Sequence, residues 1–210
     1  AIGASFAGGR SMAAMKHVGL NVAADPLFTS AYTGVNGGLM IVSADDPGLH
    51  SSQDEQDNRY YARAAKVGML EPSNSQEAKD FVKVAMELSE RYDMPILLRL
   101  TTRVCHSKSI VDLSVSRTEV PFVPYTKKDK FNPIPAISKK LHVVSSGIAY
   151  QYVKEVYGDK ASYLKLGFTF PMPIEKIREF ASQVDELVVV EELEPVMEND
   201  IKAAGITCIG

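Results

Sequence analysis

Continuous apolar runs alternate along this chain with stretches whose apolar residues recur every three to four positions. Gly38-Leu39-Met40-Ile41-Val42-Ser43-Ala44 and Pro95-Ile96-Leu97-Leu98-Arg99-Leu100 are runs of the first kind, expected of strands covered on both faces. Between them Ala78, Phe81, Val82, Ala85 and Leu88 keep helical spacing, with Lys79, Lys83, Glu87 and Glu90 on other faces. Ser73 with Gln76, or Asn74 with Glu77, would cap that helix. Later segments repeat the rhythm. The pattern predicts a strand and turn over Leu141–Gly147, a helix from Ile148 to Tyr157, and a strand from Ser162 to Leu166. A helix from Ile174 to Ala181, a strand from Glu186 to Val190 and a last helix with Pro195 early in it complete the series. Such alternation implies βαβ units and a largely parallel sheet, hence an α/β fold.

Pro121, Pro124, Pro133 and Pro135 interrupt the pattern, together with the charged cluster Lys127-Lys128-Asp129-Lys130. The chain therefore divides into units over residues 1–115 and 136–210, joined by a linker over 116–135. The Gly-, Ala- and Ser-rich start, through Gly3, Ala4, Ala7 and Gly8, reads as a closely packed helix. Gly8-Gly9-Arg10 is not followed by the Gly-Lys-Ser/Thr of a P-loop. The missing initiating Met and the strand-like Gly205–Gly210 suggest a segment of a longer polypeptide.

The polar stretch from Lys16 to Asp57 follows apolar runs, and in open α/β sheets ligands gather at the carboxyl ends of strands. His17 reads as a strand-end histidine beside a turn at Gly19, touching either a ligand or the local backbone. Asn21 either caps a helix from Val22 to Tyr32 or meets a ligand. The loop from Asp45 to Asp57 holds four Asp and one Glu. It matches no EF-hand spacing, so its acids are read as starting the helix of Arg59, Tyr60, Tyr61 and Arg63 rather than as a metal site. Arg59 or Arg63 could hold a carboxylate in a bidentate pair. His50, His106 and His142 lack an acid or nucleophile at a diagnostic spacing, and Cys105-His106 is poor geometry for a nucleophile–base pair. Glu191, Glu192 and Glu194 either face a site or charge the following helix.

Composition narrows the classes. A net charge of −3 argues against nucleic acid as the main partner, and no apolar run approaches a membrane span. Two cysteines, Cys105 and Cys208, cannot by themselves ligate an iron–sulfur cluster or a zinc ion. A cytoplasmic location is the simple expectation.

The run from Lys16-His17-Val18-Gly19-Leu20-Asn21 to Pro26, then Tyr32-Thr33-Gly34-Val35 and Ala44-Asp45-Asp46-Pro47-Gly48 through Asp57, resembles the alpha subunits of indolepyruvate:ferredoxin oxidoreductases. Ser146-Gly147-Ile148-Ala149-Tyr150, Lys165-Leu166-Gly167, Phe170-Pro171-Met172-Pro173 and Val190–Pro195 resemble the transketolase C-terminal-like domain of the same subunits. The resemblance implies that residues 1–115 form a pyrimidine-type thiamine-diphosphate-binding domain lacking its beginning. It implies oxidative decarboxylation of arylpyruvates to arylacetyl-CoA, with a beta subunit, coenzyme A and ferredoxin as partners. Thiamine diphosphate with Mg2+ and 4Fe–4S clusters would serve the full subunit, with none bound to this chain alone. His17, Gly19 and Asn21 would lie beside the cofactor; Asp46, His50, Arg59 and Arg63 would face substrate or a domain interface. The family's activating glutamate would lie upstream of Ala1, and no Glu occurs before Glu55. The chain alone is then expected to be inactive. Alternatives are a pyruvate or branched-chain 2-oxoacid:ferredoxin oxidoreductase, or a non-catalytic α/β interaction module.

Overall fold

The computed structural model describes residues 1–114, 144–158, 161–184 and 186–210. The expected linker, His142 and the start of the strand at Leu141 lie outside the described residues. In chain order the elements are α1 (Ile2–Phe6), β1 (Ser11–Lys16), α2 (His17–Val22), α3 (Ala24–Thr33), β2 (Leu39–Asp45) and α4 (Arg59–Ala65). Then come β3 (Gly68–Leu70), α5 (Ser75–Tyr92), β4 (Ile96–Thr101), α6 (Thr102–His106), β5 (Ser145–Ser146) and α7 (Ala149–Tyr157). The C-terminal part adds β6 (Lys165–Leu166), β7 (Phe168–Phe170), α8 (Ile174–Ala181) and α9 (Val196–Ala203).

The main sheet is five-stranded in the order β1-β2-β4-β3-β7, parallel except for β7. Alternation along each strand feeds two apolar layers. Ile41, Met69 and Leu97 pack with Leu20, Leu27, Ala62 and Val67 beneath α2, α3 and α4. Met40, Leu70, Ile96 and Leu98 pack with Ala85 and Met86 of α5 on the other face. β1 forms an edge, and its side chains alternate between half-buried and exposed. β7 comes from the C-terminal half, yet it pairs with β3. The smaller unit has β5 parallel to β6, extended by bridges from Ser145 to Val190 and from Val188 to Ile209. Leu164, Leu166, Ile177, Met197 and Ile201 fill its core.

The expected α/β class with a mainly parallel sheet is what the chain adopts. Three local expectations change. The helix read from Val22 to Tyr32 is two helices: Pro26 supplies no N–H to continue the preceding turn, and the chain breaks at Ala23. The strand expected over Glu186–Val190 forms only isolated bridges. Gly3, Ala4 and Ala7 are exposed rather than closely packed. The close approach is made instead by Gly37, where a Cβ would lie 2.4 Å from the Gly9 carbonyl oxygen.

At α5 the second of the two caps is used. Asn74 Oδ1 accepts from Glu77 N at 2.9 Å, and Glu77 Oε2 accepts from the backbone N and the Oγ of Ser73, each at 2.9 Å. Gln76 instead donates to Asp80 at 2.8 Å. Asn74→Ala should therefore cost about 1 kcal/mol in denaturant unfolding, whereas Gln76→Ala should leave the midpoint nearly unchanged.

Candidate functional site

Parallel strands bring their carboxyl ends to one edge, so the polar residues that end β1, β2, β3 and β4 meet there. Asp45 stands opposite Thr101, and Lys16 opposite Ala44. Asp45, Asp46, Asp57, Asn58, Arg59, Glu71 and Arg99 are all buried at this edge. Charges withdrawn from water in this way must be paired.

Arg99 donates from Nε to Asp45 Oδ2 and from Nη1 to Glu71 Oε1, each at 2.6 Å. Burial opposes its charge, but Asp45, Glu71 and Asp57 outweigh that cost and push its pKa up. Arg59 is 1% exposed. It donates to both oxygens of Asp57, to Glu191 Oε2 at 2.7 Å, and to the carbonyls of Glu192 and Glu194. Burial works against the ionised Asp57, yet bonding to Arg59 and the nearby Arg99 hold its pKa down. Glu191 also accepts from Met197 N at 2.9 Å and Glu198 N at 3.0 Å, so it caps α9 while it binds Arg59. Burial pushes the Glu192 carboxyl up.

The loop from Asp46 to Asn58 is organised by its own acids. Asp46 accepts from His50 N at 3.2 Å, Ser51 N at 2.8 Å, Ser52 Oγ at 2.6 Å and Thr102 Oγ1 at 2.7 Å. These bonds, that of Ser52 foremost, hold its pKa well below the usual carboxylate range. Glu55 accepts from Gly48 N at 2.7 Å. His17 lies buried at the end of β1, and its Nε2 meets the Asp54 carbonyl at 3.1 Å. A carbonyl only accepts, so Nε2 carries the proton. Nδ1 is buried without a partner among the described residues.

The structure rearranges several sequence expectations. Gly19 is not in a turn but inside α2, where a Cβ would lie 3.0 Å from the Met15 Cβ. Asn21 caps nothing; it is within α2, exposed, and bonded to Gln56 and Tyr61. The acids before α4 do not occupy its first turn, because the helix starts at Arg59 after they have been spent on the loop. Every guanidinium nitrogen of Arg59 is bonded to the chain's own oxygens and the side chain is buried, so no exposed face is left for a ligand carboxylate. Arg63 donates to Asp200 at 2.7 Å, tying α4 to α9. His50 is exposed and lines a shallow open pocket with Thr102, Arg103, His106 and Ser107. Ser43, Asp45, Asn58, Glu71 and Arg99 were not singled out individually by sequence. The available signal was Arg99 itself, a charge inside a strand buried on both faces.

Residues 1–161 match the model of the family described as pyruvate flavodoxin/ferredoxin oxidoreductase, thiamine diphosphate-binding. The chain belongs to this family. Among curated relatives, indolepyruvate oxidoreductase subunit IorA of Archaeoglobus fulgidus is 39% identical, aligning over 98% of this chain and 39% of the relative. The protein of the same name from Methanothermobacter thermautotrophicus is 41% identical over 97% of this chain and 39% of its own length. That from Pyrococcus horikoshii is 39% identical over 96% and 38%. The chain thus spans about two fifths of the length of the curated relatives it matches. The resemblance read from the Lys16–Asp57 stretch is borne out by these names. A solved 2-oxoglutarate:ferredoxin oxidoreductase from Magnetococcus marinus superposes with TM-score 0.69 at 14% identity, over 99% of this chain and 50% of the other. At that identity it shows a shared fold.

The edge suits one end of the family's cofactor better than the other. Asn21 is exposed and leaves a polar side chain open to a heteroaromatic ring, whereas the His17 side chain behind it is fully buried. A diphosphate-bound cation wants several free oxygens. Among the described residues no group of three or more His, Cys, Asp or Glu is placed to hold a metal ion, and the acids at 45, 46, 55 and 57 are already bonded. No helix among the described residues is long and apolar enough to cross a membrane.

Two outcomes follow. Arg59→Met removes the partner of Asp57 and Glu191 and strands both carboxylates, so stability should fall by about 3–5 kcal/mol in chemical denaturation. Asp46 has a depressed folded pKa, so its contribution is complete above the unfolded carboxylate range near pH 4 and fades only as pH falls below it. By amide exchange, His50 and Ser51 should stay protected at pH 5 in the wild type. In Asp46→Asn they should exchange about tenfold faster at neutral pH as well.

Proposed function

We propose that this chain is the ring-binding part of a thiamine-diphosphate-dependent subunit that oxidatively decarboxylates arylpyruvates, indolepyruvate foremost, to arylacetyl-CoA. The observation that carries this reading is the identity of 38–41% to proteins named indolepyruvate oxidoreductase subunit IorA, sustained over 96–98% of the chain. Mg2+, 4Fe–4S clusters, coenzyme A, ferredoxin and a beta subunit belong to the assembly proposed, in the cytoplasm. When bound, thiamine diphosphate supplies the electron-accepting centre from which a 2-oxoacid can lose carbon dioxide.

Within that assembly, His17, Gly19 and Asn21 form the cofactor-facing wall. Gly19 lets α2 lie close on β1, which sets the depth of His17 and the height of Asn21. The Asp46 loop supplies a rim that is rigid before any ligand arrives, so little ordering cost remains at binding. His50, with Arg103 and His106, is the substrate- or interface-facing part of that rim. Arg59 and Arg63 hold the two halves together instead of contacting substrate.

The complete subunit with its partner tests the reading. Calorimetry with thiamine diphosphate and Mg2+ should show stoichiometric binding. Ferredoxin reduction should run at higher kcat/KM with indolepyruvate than with pyruvate. A complete assembly that binds no thiamine diphosphate defeats the cofactor reading, and a preference for pyruvate defeats the substrate reading.

A further inference from the structure

A ladder of hydrogen bonds runs from the buried edge to the exposed rim, and every rung points the same way. Ser43 Oγ donates to Asp45 Oδ1 at 2.7 Å. Asn58 Nδ2 donates to Ser43 Oγ at 2.6 Å. Gln56 Nε2 donates to Asn58 Oδ1, Asn21 Nδ2 donates to Gln56 Oε1 at 2.8 Å, and Tyr61 OH donates to Asn21 Oδ1 at 2.7 Å.

A carboxamide can turn over and exchange its donor for its acceptor, so the direction needs a cause. Two groups that only accept supply it. The first is the Asp45 carboxylate, paired with Arg99, which obliges Ser43 to donate and therefore to accept from Asn58. The second is the His17 carbonyl, which accepts from Asn58 Nδ2 at 3.4 Å and from Gln56 Nε2 at 3.3 Å. Both amides are thus fixed twice. Turning Gln56 would set its oxygen against Asn58 Oδ1 and the His17 carbonyl together. With Gln56 fixed, Asn21 must present N–H to it and oxygen to Tyr61. The second N–H of Asn21 has no partner among the described residues, on a side chain that is exposed.

We infer that Asn21 is a direction-locked donor, oriented from below by Asp45, Ser43, Asn58 and Gln56, which accepts ligands bearing a hydrogen-bond acceptor and rejects those bearing a donor at that point. The ligand half of this inference rests on the thiamine-diphosphate reading; the ladder does not. The matching acceptor is a ring nitrogen of the cofactor or an oxygen of the 2-oxoacid.

Asn21→Asp is the diagnostic change, since it sets a second acceptor against Gln56 Oε1. Protonation restores a donor, so the new carboxyl should have a folded pKa above its unfolded value. Stability relative to wild type is then best below the unfolded pKa and is lost as pH rises through the folded one. For a one-unit rise, the folded-to-unfolded ratio falls about tenfold below wild type at pH 7.5 and under about fourfold at pH 4.5. Asn21→Ala loses the bond without adding an acceptor, and its gap should not vary with pH. Lys16, His17, Asp25, Tyr32, Asp45, Asp46, His50, Asp54, Glu55, Asp57, Arg59, Tyr60, Tyr61 and Arg63 are the titratable and charged groups on the elements around this position, and wild type measured at each pH cancels their contributions. A pH-independent gap for Asn21→Asp would show that Gln56 turns over freely and would overturn the ladder.

In the complete subunit, Asn21→Asp should weaken thiamine diphosphate binding by calorimetry, or raise the KM for indolepyruvate, at least tenfold; which of the two moves identifies the acceptor. Neither moving overturns the ligand half. Wild type failing to bind thiamine diphosphate overturns the cofactor reading and that half with it, while the pH comparison still judges the ladder.

Discussion

The Asp45 carboxylate is the acceptor on which the carboxyl edge depends. One oxygen takes Arg99 Nε and Asn58 N; the other takes Ser43 Oγ. Through Arg99 it anchors a buried ionic group that continues to Glu71, and Asp57 lies 4.0 Å from the same guanidinium. Through Ser43 it orients a row of amides that ends at the surface. Buried ion pairs of this kind contribute little net stability compared with apolar packing. What they enforce is a single arrangement, because any other leaves a charge unpaired where water cannot reach it.

That arrangement joins the two halves of the chain. Asp57 holds Arg59, and Arg59 holds Glu191 together with the carbonyls of Glu192 and Glu194. Glu191 is at the same time the cap of α9. The edge of the parallel sheet and the first turn of the last helix therefore share one guanidinium. β7, donated by the C-terminal half to the main sheet, and Gln151, which donates to Ser73 Oγ at 3.4 Å, add further ties. A site built on this edge inherits its rigidity from packing and from ion pairs formed within the chain, although Arg99 Nη2 and Glu71 Oε2 lie buried without a partner among the described residues.

Much of the fold was legible because local rules agree with the tertiary outcome. The runs at Gly38–Ala44 and Pro95–Leu100 are strands since both of their faces are covered, and Ile174–Ala181 is the helix its spacing predicts. Of the two readings left open for Glu191, facing a site or charging the following helix, the structure takes the second. The site was less legible. Arg59 and Arg63 looked available because sequence does not show that Glu191 and Asp200, more than a hundred residues away, reach them. His17 could be placed at a strand end, but its bond to the Asp54 carbonyl depends on how the loop folds back. Arg99, a charge inside an apolar strand run, was a signal the sequence offered and the reading left unused, and it marks the edge better than the acidic loop does.

Hydrogen–deuterium exchange of the whole protein, comparing wild type with Asp45→Asn, tests the central claim most directly. If Asp45 governs the edge, protection should drop together over residues 54–61 and 191–198, while the amide of Glu77 in the α5 cap keeps its wild-type rate. Loss confined to residues 43–46, with 191–198 unchanged, would contradict the account.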